Sequence, residues 1–126
     1  MDTRVRLTGL LAKKTVNALS DEFSKRILLS TVERGKTVQE ISLEQAVPLS
    51  TCYRRARELV DDGVLVIETL VVTAEGKRHA VYRSSFRTID VVSDFSETTI
   101  TAELNEEVAE KFRSKWFCLS YPNGVR

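Results

Sequence analysis

Hydrophobic residues in the first part of the chain recur every three or four positions, which is the spacing of a helix buried on one face. The pattern predicts a first helix over about residues 19–34, and an earlier helical turn or two from Leu10 is an open alternative. Ser20 is a suitable N-cap, because its hydroxyl can accept a hydrogen bond from a free amide of the first turn. Gly35 is expected to end the helix as a C-cap glycine.

A capping box marks the start of a second predicted helix. Thr37 lies three residues before Glu40, so each side chain can accept a hydrogen bond from the other residue's backbone amide. The residues expected to face the core are Val38 and Ile41, with Leu43 or Ala46 as further candidates. Val47 then provides an apolar contact at the turn, and Pro48 suits the start of the next helix, where its missing N–H costs nothing.

The third predicted helix covers about residues 48–62 and has a narrow apolar stripe. The stripe consists of Cys52, Ala56, Leu59 and Val60. The remaining faces are polar and carry Ser50, Thr51, Tyr53, Arg54, Arg57 and Glu58. Two short helices joined by a tight turn, the second of them rich in arginine, are typical of a helix-turn-helix.

After Gly63 the hydrophobic period changes from about 3.6 to about 2, which indicates strands. Residues 64–73 and 78–86 are two extended segments around a turn at 74–77, so we expect a β-hairpin. Segments 88–95 and 98–104 also look extended, and Asn105 is expected to cap a final helix. The predicted fold class is therefore α+β, a winged helix-turn-helix of three helices and a hairpin, with a C-terminal extension of extended strands and a terminal helix.

Charge is distributed unevenly along the 126 residues, although the formal net charge is only +1. Residues 1–87, the predicted winged helix-turn-helix domain with its core at about 18–87, carry a net charge of +4. Residues 88–126, the predicted strand-plus-helix extension, carry a net charge of −3. A local basic face matters more for phosphate binding than the chain total, so DNA contacts are expected in the first domain. Chance asymmetry in a small protein is the alternative explanation.

The exposed face of the third helix is expected to enter the major groove of double-stranded DNA, where arginine pairs with guanine O6 and N7. We assign base contacts to Thr51, Tyr53 and Arg54. Arg55 and Arg57 are expected to contact the DNA backbone or to form salt bridges. The other predicted DNA-binding residues are Lys36, Thr37 and Ser50 near helix N-termini, and Lys77, Arg78 and His79 at or beside the hairpin tip. An ordinary solvated helix face is the alternative interpretation of the arginine run.

The sequence offers little to a metal site or a catalytic centre. Cys52 and Cys118 lie far apart, and His79 is the single histidine, whereas a soft-metal site needs about four converging N or S ligands. Neither a Ser-His-Asp arrangement away from the hairpin nor a glycine-rich phosphate loop is present. We therefore expect a non-enzyme without cofactor, metal or small-molecule ligand. Cys52 is expected in the core, and a thiol switch at Cys118 stays an open hypothesis.

The location expected from the sequence is the cytoplasm, in association with the nucleoid. The cysteines form no disulfide framework, which favours a reducing compartment. The N-terminus has no signal-peptide pattern, and no segment approaches the roughly 20 apolar residues of a membrane span.

The run LSDEFSKRILLSTVERGKTVQEISLEQAVPLSTCYRRARELVDDGVL resembles the winged-helix domain of archaeal ArsR-type transcription regulators. The segment LSDEFSKRIL is similar to their first core helix, and VPLSTCYRRARELVDDGVL to their recognition helix and the entry to the wing. The resemblance covers about residues 18–87 and implies a homodimeric DNA-binding repressor or activator. The paired-cysteine and His/Asp ligand sets of metal-sensing members are missing, which speaks against metal sensing here.

The C-terminal aromatic residues have two interpretations, completion of the monomer's own core or a dimer interface. The residues expected at a dimer interface are Leu10, Leu11, Val108, Phe112, Trp116, Phe117 and Leu119. A twofold dimer would present two recognition helices about one DNA turn, roughly 34 Å, apart. Two other functions stay open: a winged-helix protein-interaction module of transcription or chromatin machinery, and a low-specificity chromatin-binding protein.

Overall fold

A computed structural model of the chain describes residues 3–120, with side chains described through residue 115. The helices are α1 (Gly9–Ser20), α2 (Glu22–Thr31), α3 (Val38–Gln45), α4 (Leu49–Asp61) and α5 (Ala109–Ser120), the last preceded by a 3₁₀ turn at Glu106–Val108. The strands are β1 (Arg4–Leu7), β2 (Leu65–Val72), β3 (Arg78–Ser84), β4 (Phe86–Ser93) and β5 (Thr98–Leu104). All strand pairs are antiparallel, so the predicted α+β class is confirmed.

Two helices, not one, occupy the region of the first predicted helix. The chain becomes extended at Asp21, whose carboxylate accepts a 2.8 Å hydrogen bond from the amide of Ser24 and caps α2. The prediction that Ser20 is the N-cap was therefore wrong, since Ser20 ends α1 and donates its hydroxyl to the Val16 carbonyl. An aspartate cap adds a negative charge that suits the positive end of the helix dipole. The alternative of an earlier helix from near Leu10 was correct in kind, although α1 is a complete helix.

Gly35 does not cap a helix, because α2 ends at Thr31, four residues earlier. It precedes Lys36, whose backbone pairs with Tyr82 of β3 through two hydrogen bonds of 2.8 and 3.0 Å. A Cβ atom at residue 35 would lie 2.6 Å from Cγ1 of Val81 and would overlap the carboxylate of Glu68. The glycine therefore permits a close approach between this segment and the hairpin.

The capping box at the start of α3 is confirmed. The Glu40 amide donates to the Thr37 hydroxyl at 3.2 Å, and the Thr37 amide donates to the Glu40 carboxylate at 2.9 Å. Val38 and Ile41 are buried as predicted, but Leu43 is 88% exposed. Ala46 is also exposed, because it ends α3 in a left-handed conformation with φ 55°. Neither further candidate for the core was correct.

The turn and the buried stripe of α4 agree with the prediction. Val47 is buried at the turn between α3 and α4, and its amide and carbonyl both bond Ser42. Cys52, Ala56 and Leu59 are buried, whereas Val60 is half-buried at the edge of the core. Because these residues fix the inward side of α4, they also determine which side chains face solvent.

The hairpin predicted after Gly63 is present as β2 and β3, joined by a turn in which Gly76 has φ +85°. Its second strand ends earlier than predicted, at Ser84, and Phe86 begins β4 of a different sheet. Ser85 makes this corner, since its amide donates to the Val64 carbonyl and its hydroxyl to the Gly63 carbonyl. These two bonds tie the exit of the hairpin to the short segment between α4 and β2.

The second sheet has the strand order β1-β5-β4. Its strands β4 and β5 confirm the two extended segments predicted in the tail, whereas β1 was not predicted. Asn105 follows β5, but its side chain does not cap the next turn. It donates instead to the carbonyls of Val32 and Ser84, at 2.9 and 3.3 Å, so the prediction of an Asn105 side-chain cap was wrong.

One hydrophobic core extends from the helices into the C-terminal extension. Phe112 of α5 is completely buried and meets Phe86 edge to face, with ring centroids 5.0 Å apart. Leu11 and Val108 are buried as well, so these three predicted interface residues belong to the core of a single chain. Leu10 is exposed, and the side chains of Trp116, Phe117 and Leu119, like that of Cys118, lie outside the described residues.

Candidate nucleic-acid interface

The solvent side of α4 carries five of the eleven residues predicted to contact DNA. Ser50, Tyr53, Arg54 and Arg57 are exposed, and Thr51 is half-buried. They face outward because the buried stripe of the same helix faces α2 and α3. Within the described part of the chain, the guanidinium of Arg54 has no ion-pair or hydrogen-bond partner, so it is free to contact a ligand.

A polar cleft of about 250 Å³ separates α4 and α3 from strand β3. Its lining consists of Val38, Gln39, Tyr53, Arg57, Arg78, His79, Ala80 and Tyr82. The cleft therefore brings together residues of the third predicted helix and of the predicted wing, which lie more than 20 positions apart in the chain. None of the lining residues is acidic.

Gln39 is a member of this site that the sequence did not reveal. Its side-chain nitrogen donates a 2.7 Å hydrogen bond to the hydroxyl of Tyr53 and lies 3.5 Å from Nδ1 of His79. The amide thus connects α3 with α4 and with the hairpin. A single polar residue within the Thr37–Glu40 capping box has no sequence signature that distinguishes it from any solvated glutamine.

Burial raises the pKa of the Tyr82 phenol, and the neighbouring Tyr53 adds to this shift, whereas the positive charge of Arg57 opposes it. Tyr82 therefore keeps its proton at neutral pH and can donate a hydrogen bond. Tyr53, Arg57 and Tyr82 all line the cleft.

Lys36 and Thr37 have partners within the chain. The Lys36 side chain is only 11% exposed, and its ammonium donates to the Glu44 carboxylate at 2.7 Å. The Ser30 hydroxyl donates to the same carboxylate. Hydrogen bonds from Lys36 and then Ser30 lower the pKa of Glu44 to about 2. The Thr37 hydroxyl accepts the capping bond described above. A phosphate contact by Lys36 would therefore have to compete with a charged partner that is already in place.

Arg55 forms salt bridges, which was one of its two predicted roles. Its guanidinium lies 3.1 Å from Asp21 and 3.0 Å from Glu58. Burial tends to raise the pKa of Asp21, but the hydrogen bonds from Ser24 and the charge of Arg55 outweigh it and lower that pKa. Arg55 thus joins α4 to the start of α2 and is turned away from the exposed face that carries Arg54.

The hairpin tip presents Lys77 and Arg78 to solvent, with His79 half-buried beside them. The tip is closed by two backbone bonds, from the Thr73 amide to the Lys77 carbonyl and from the Gly76 amide to the Thr73 carbonyl. The Thr73 hydroxyl accepts a further bond from the Lys77 amide. Lys77 and Arg78 therefore lie at a turn that is held by hydrogen bonds.

The described residues contain no group of three histidine, cysteine or acidic side chains that could hold a metal ion. Cys52 is completely buried near the Val38 carbonyl, and burial raises the pKa of its thiol. Among residues 3–120, no helix has the length and apolar character needed to cross a membrane. In comparisons with known proteins, no family model, no curated protein and no solved structure matches this chain.

Proposed function

We propose that the protein is a sequence-specific regulator of transcription with a winged helix-turn-helix fold that binds double-stranded DNA as a homodimer. In this proposal α4 is the recognition helix in the major groove, and the β2–β3 hairpin is the wing. The observation that carries it is the surface described above, an exposed arginine face on α4 continued by a cleft without carboxylates and by the cations of the hairpin tip. The location proposed with it is the cytoplasm, in association with the nucleoid.

The order of the elements supports this proposal. Helices α2, α3 and α4 contact one another, and the hairpin follows α4 directly and contacts it. The bridge between Lys36 and Tyr82 ties the hairpin to the segment before α3. The hairpin and the exposed face of α4 are thus held in a fixed relation, as simultaneous contact with two neighbouring grooves requires.

Duplex binding is the direct test of the proposed function. A preferred site would be selected from a random duplex library, and affinity for that site and for random duplex would be measured by fluorescence anisotropy between 50 and 400 mM salt. We expect the logarithm of the association constant to fall linearly with the logarithm of the salt concentration. The slope should steepen by about 0.9 for each phosphate that the protein contacts. Equal affinity for selected and random duplex would favour the low-specificity chromatin protein. No binding at micromolar protein in 50 mM salt would contradict DNA binding altogether.

Substitution of Arg54 by alanine is expected to weaken binding to the selected site by about 1–3 kcal/mol, since a base-reading arginine makes two hydrogen bonds to guanine. Binding to random duplex should change much less, because non-specific complexes depend on phosphates. Arg6→Ala provides the matched control, as Arg6 lies on β1 in the other sheet and is paired with Glu97. If the Arg54→Ala variant binds the selected site as tightly as the wild-type protein, the assignment of Arg54 to a base contact is wrong.

A protein-interaction module is the second candidate, and the surface of the hairpin favours it. Leu70, Val71 and Val72 of β2 are all exposed. Because side chains alternate along a strand, Leu70 and Val72 lie on one face of the hairpin and Val71 on the other. Exposed apolar side chains on both faces suit a protein partner. Absence of duplex binding at low salt would make this candidate the better one.

The homodimer is part of the main proposal and can be measured independently by solution mass. Three residues expected at its interface lie in the core of one chain, so a dimer would need other contacts. Of the predicted interface residues whose side chains are described, Leu10 on α1 is the exposed one.

A further inference from the structure

We infer that the cleft between α4 and β3 binds one phosphodiester group of the DNA backbone, held between Arg57 of the helix and Arg78 of the hairpin. The inference rests on the proposed function and names the ligand of one part of the proposed interface. It also assigns Tyr53, first expected to contact a base, to the phosphate instead.

The charges of the cleft favour an anion. Arg57 of α4 and Arg78 of β3 line it from opposite sides, and His79, the neighbour of Arg78 on β3, belongs to the same lining. Neither guanidinium has a carboxylate partner within the part of the chain that the structure describes, whereas Arg55 and Arg83 nearby are both paired. Two unpaired cations facing one polar cavity repel each other, and a bound anion would remove that repulsion.

The hydrogen-bonding groups of the cleft favour a phosphate over a base. The two guanidiniums offer donors only, and a phosphodiester offers acceptors only. Because Gln39 donates to the Tyr53 oxygen, the Tyr53 proton is left to point toward a ligand. The edge of a base pair in the major groove presents hydrogen-bond donors as well as acceptors. A site that offers mainly donors would leave the donors of the base pair without partners.

The position of the cleft agrees with this ligand. In a duplex the sugar–phosphate backbone separates the major groove from the adjacent minor groove. If α4 occupies one groove and the hairpin tip reaches the other, the space between them lies over that backbone. The cleft is the space between α4 and β3. A phosphate bound there would fix the register of the helix along the groove without reading sequence.

The test uses the selected duplex with a neutral methylphosphonate placed at one phosphate position at a time. Wild-type protein is expected to lose affinity about tenfold at the position that enters the cleft, the effect of losing a charge-assisted contact. Arg57→Gln and Arg78→Gln should each bind about tenfold more weakly to unmodified duplex. Both variants should be much less sensitive than wild type to the methylphosphonate at that same position and unchanged in sensitivity elsewhere. Both residues are exposed, and unchanged thermal unfolding would verify that the variants fold.

Lys77→Gln is the control, because Lys77 lies on the same hairpin but outside the lining of the cleft. It should keep full sensitivity at the cleft position. If Arg57→Gln and Arg78→Gln lose sensitivity at two different positions, or at none, the single-phosphate site is wrong although DNA binding stands. If the protein binds no duplex, the proposed function fails together with this assignment.

The phosphate group in the cleft could come from the DNA backbone or from a free phosphate ion. Titration of the free protein with inorganic phosphate and pyrophosphate, monitored by NMR of the arginine side chains, distinguishes these two sources. Weak, millimolar binding that perturbs Arg57 and Arg78 together agrees with a site built for a DNA phosphate. Micromolar binding of either ion, unaffected by duplex, would overturn the DNA assignment in favour of a free phosphate ligand.

Discussion

Substitution of Phe112 by alanine is expected to lower the free energy of unfolding by about 3–5 kcal/mol, the range for removal of a fully buried aromatic side chain. Phe112 is completely buried, and its ring meets that of Phe86 edge to face at 5.0 Å. Because Phe86 begins β4 and the helix that carries Phe112 contacts α1, the loss affects the junction between the second sheet and the helices. Urea unfolding followed by circular dichroism would measure the change. A domain with the usual stability of about 5–15 kcal/mol would be left close to unfolding.

Phe95→Ala is the matched control, because Phe95 is fully exposed in the turn between β4 and β5. It should change stability by less than about 0.5 kcal/mol. The effect of Phe112→Ala should also be independent of protein concentration, since the buried ring lies within one chain. An unfolding midpoint that rises with wild-type concentration and loses this dependence in Phe112→Ala would instead place Phe112 in a dimer interface. A loss no larger than that of Phe95→Ala would contradict its role in the core.

Features fixed by neighbours within about four residues could be predicted from the sequence. The Thr37 and Glu40 capping box depends on two side chains that reach each other's amides along one helical turn. The buried side of α4 follows in the same way from the helical spacing of Cys52, Ala56 and Leu59. These local rules sufficed to identify the exposed face of α4.

Features fixed by distant parts of the chain could not be predicted. β1 has only four residues, and its alternation becomes meaningful only when Val5 pairs with Ala102 of β5. Gly35 looked like a helix cap, but the reason for a glycine there is the close approach of Val81 and Glu68 of the hairpin, which leaves no room for a Cβ atom. For the cleft, the sequence named Tyr53 and His79 but not the glutamine that lies between these two side chains, because Gln39 acquires its role only through tertiary contacts.

For the C-terminal helix too, the sequence could not predict which surface buries its apolar face. An apolar face that includes Val108 and Phe112 predicts that something covers it, and both a monomer core and a dimer interface satisfy that pattern. Only the fold decides, by placing Phe86 at the start of β4 opposite Phe112. Amphipathicity therefore predicted that the face would be buried, but not by which surface.

Substitution of Arg83 by methionine is expected to lower the free energy of unfolding by about 3 kcal/mol, near the lower end of the range for breaking a buried ion pair. The Arg83 side chain is only 4% exposed and donates to the carbonyls of Val32 and Glu33, at 3.2 and 2.9 Å. It also pairs with Glu68 at 3.0 Å and with Glu107 of the 3₁₀ turn. Methionine fills similar volume without donors, so the Glu33 carbonyl and the Glu68 carboxylate would lose their bonds to this guanidinium.

The groups that bond Arg83 contribute unequally to the expected loss of stability. Val32 keeps a hydrogen bond from Asn105, and Glu107 is largely exposed, so neither accounts for much of the expected loss. Arg83→Lys keeps the charge but not the planar fork of donors, and it should recover only part of the stability. Arg87→Met is the control, since Arg87 pairs at 3.4 Å with an 82% exposed Glu33 side chain. It should cost about 0.5 kcal/mol or less.

The part of the fold that Arg83→Met destabilises is as informative as the size of the destabilisation. Arg83 belongs to β3 and fastens the hairpin to the end of α2 and to the turn before α5. Its removal should therefore increase amide hydrogen exchange in β2 and β3 more than in α3, because the hairpin loses an attachment that α3 does not share. The hairpin would then hold Arg78 less firmly opposite Arg57. Under the proposed function, DNA affinity should therefore fall even at temperatures where Arg83→Met is fully folded. If exchange increases uniformly, or if Arg83→Met and Arg87→Met destabilise the protein equally, Arg83 does not fasten the hairpin.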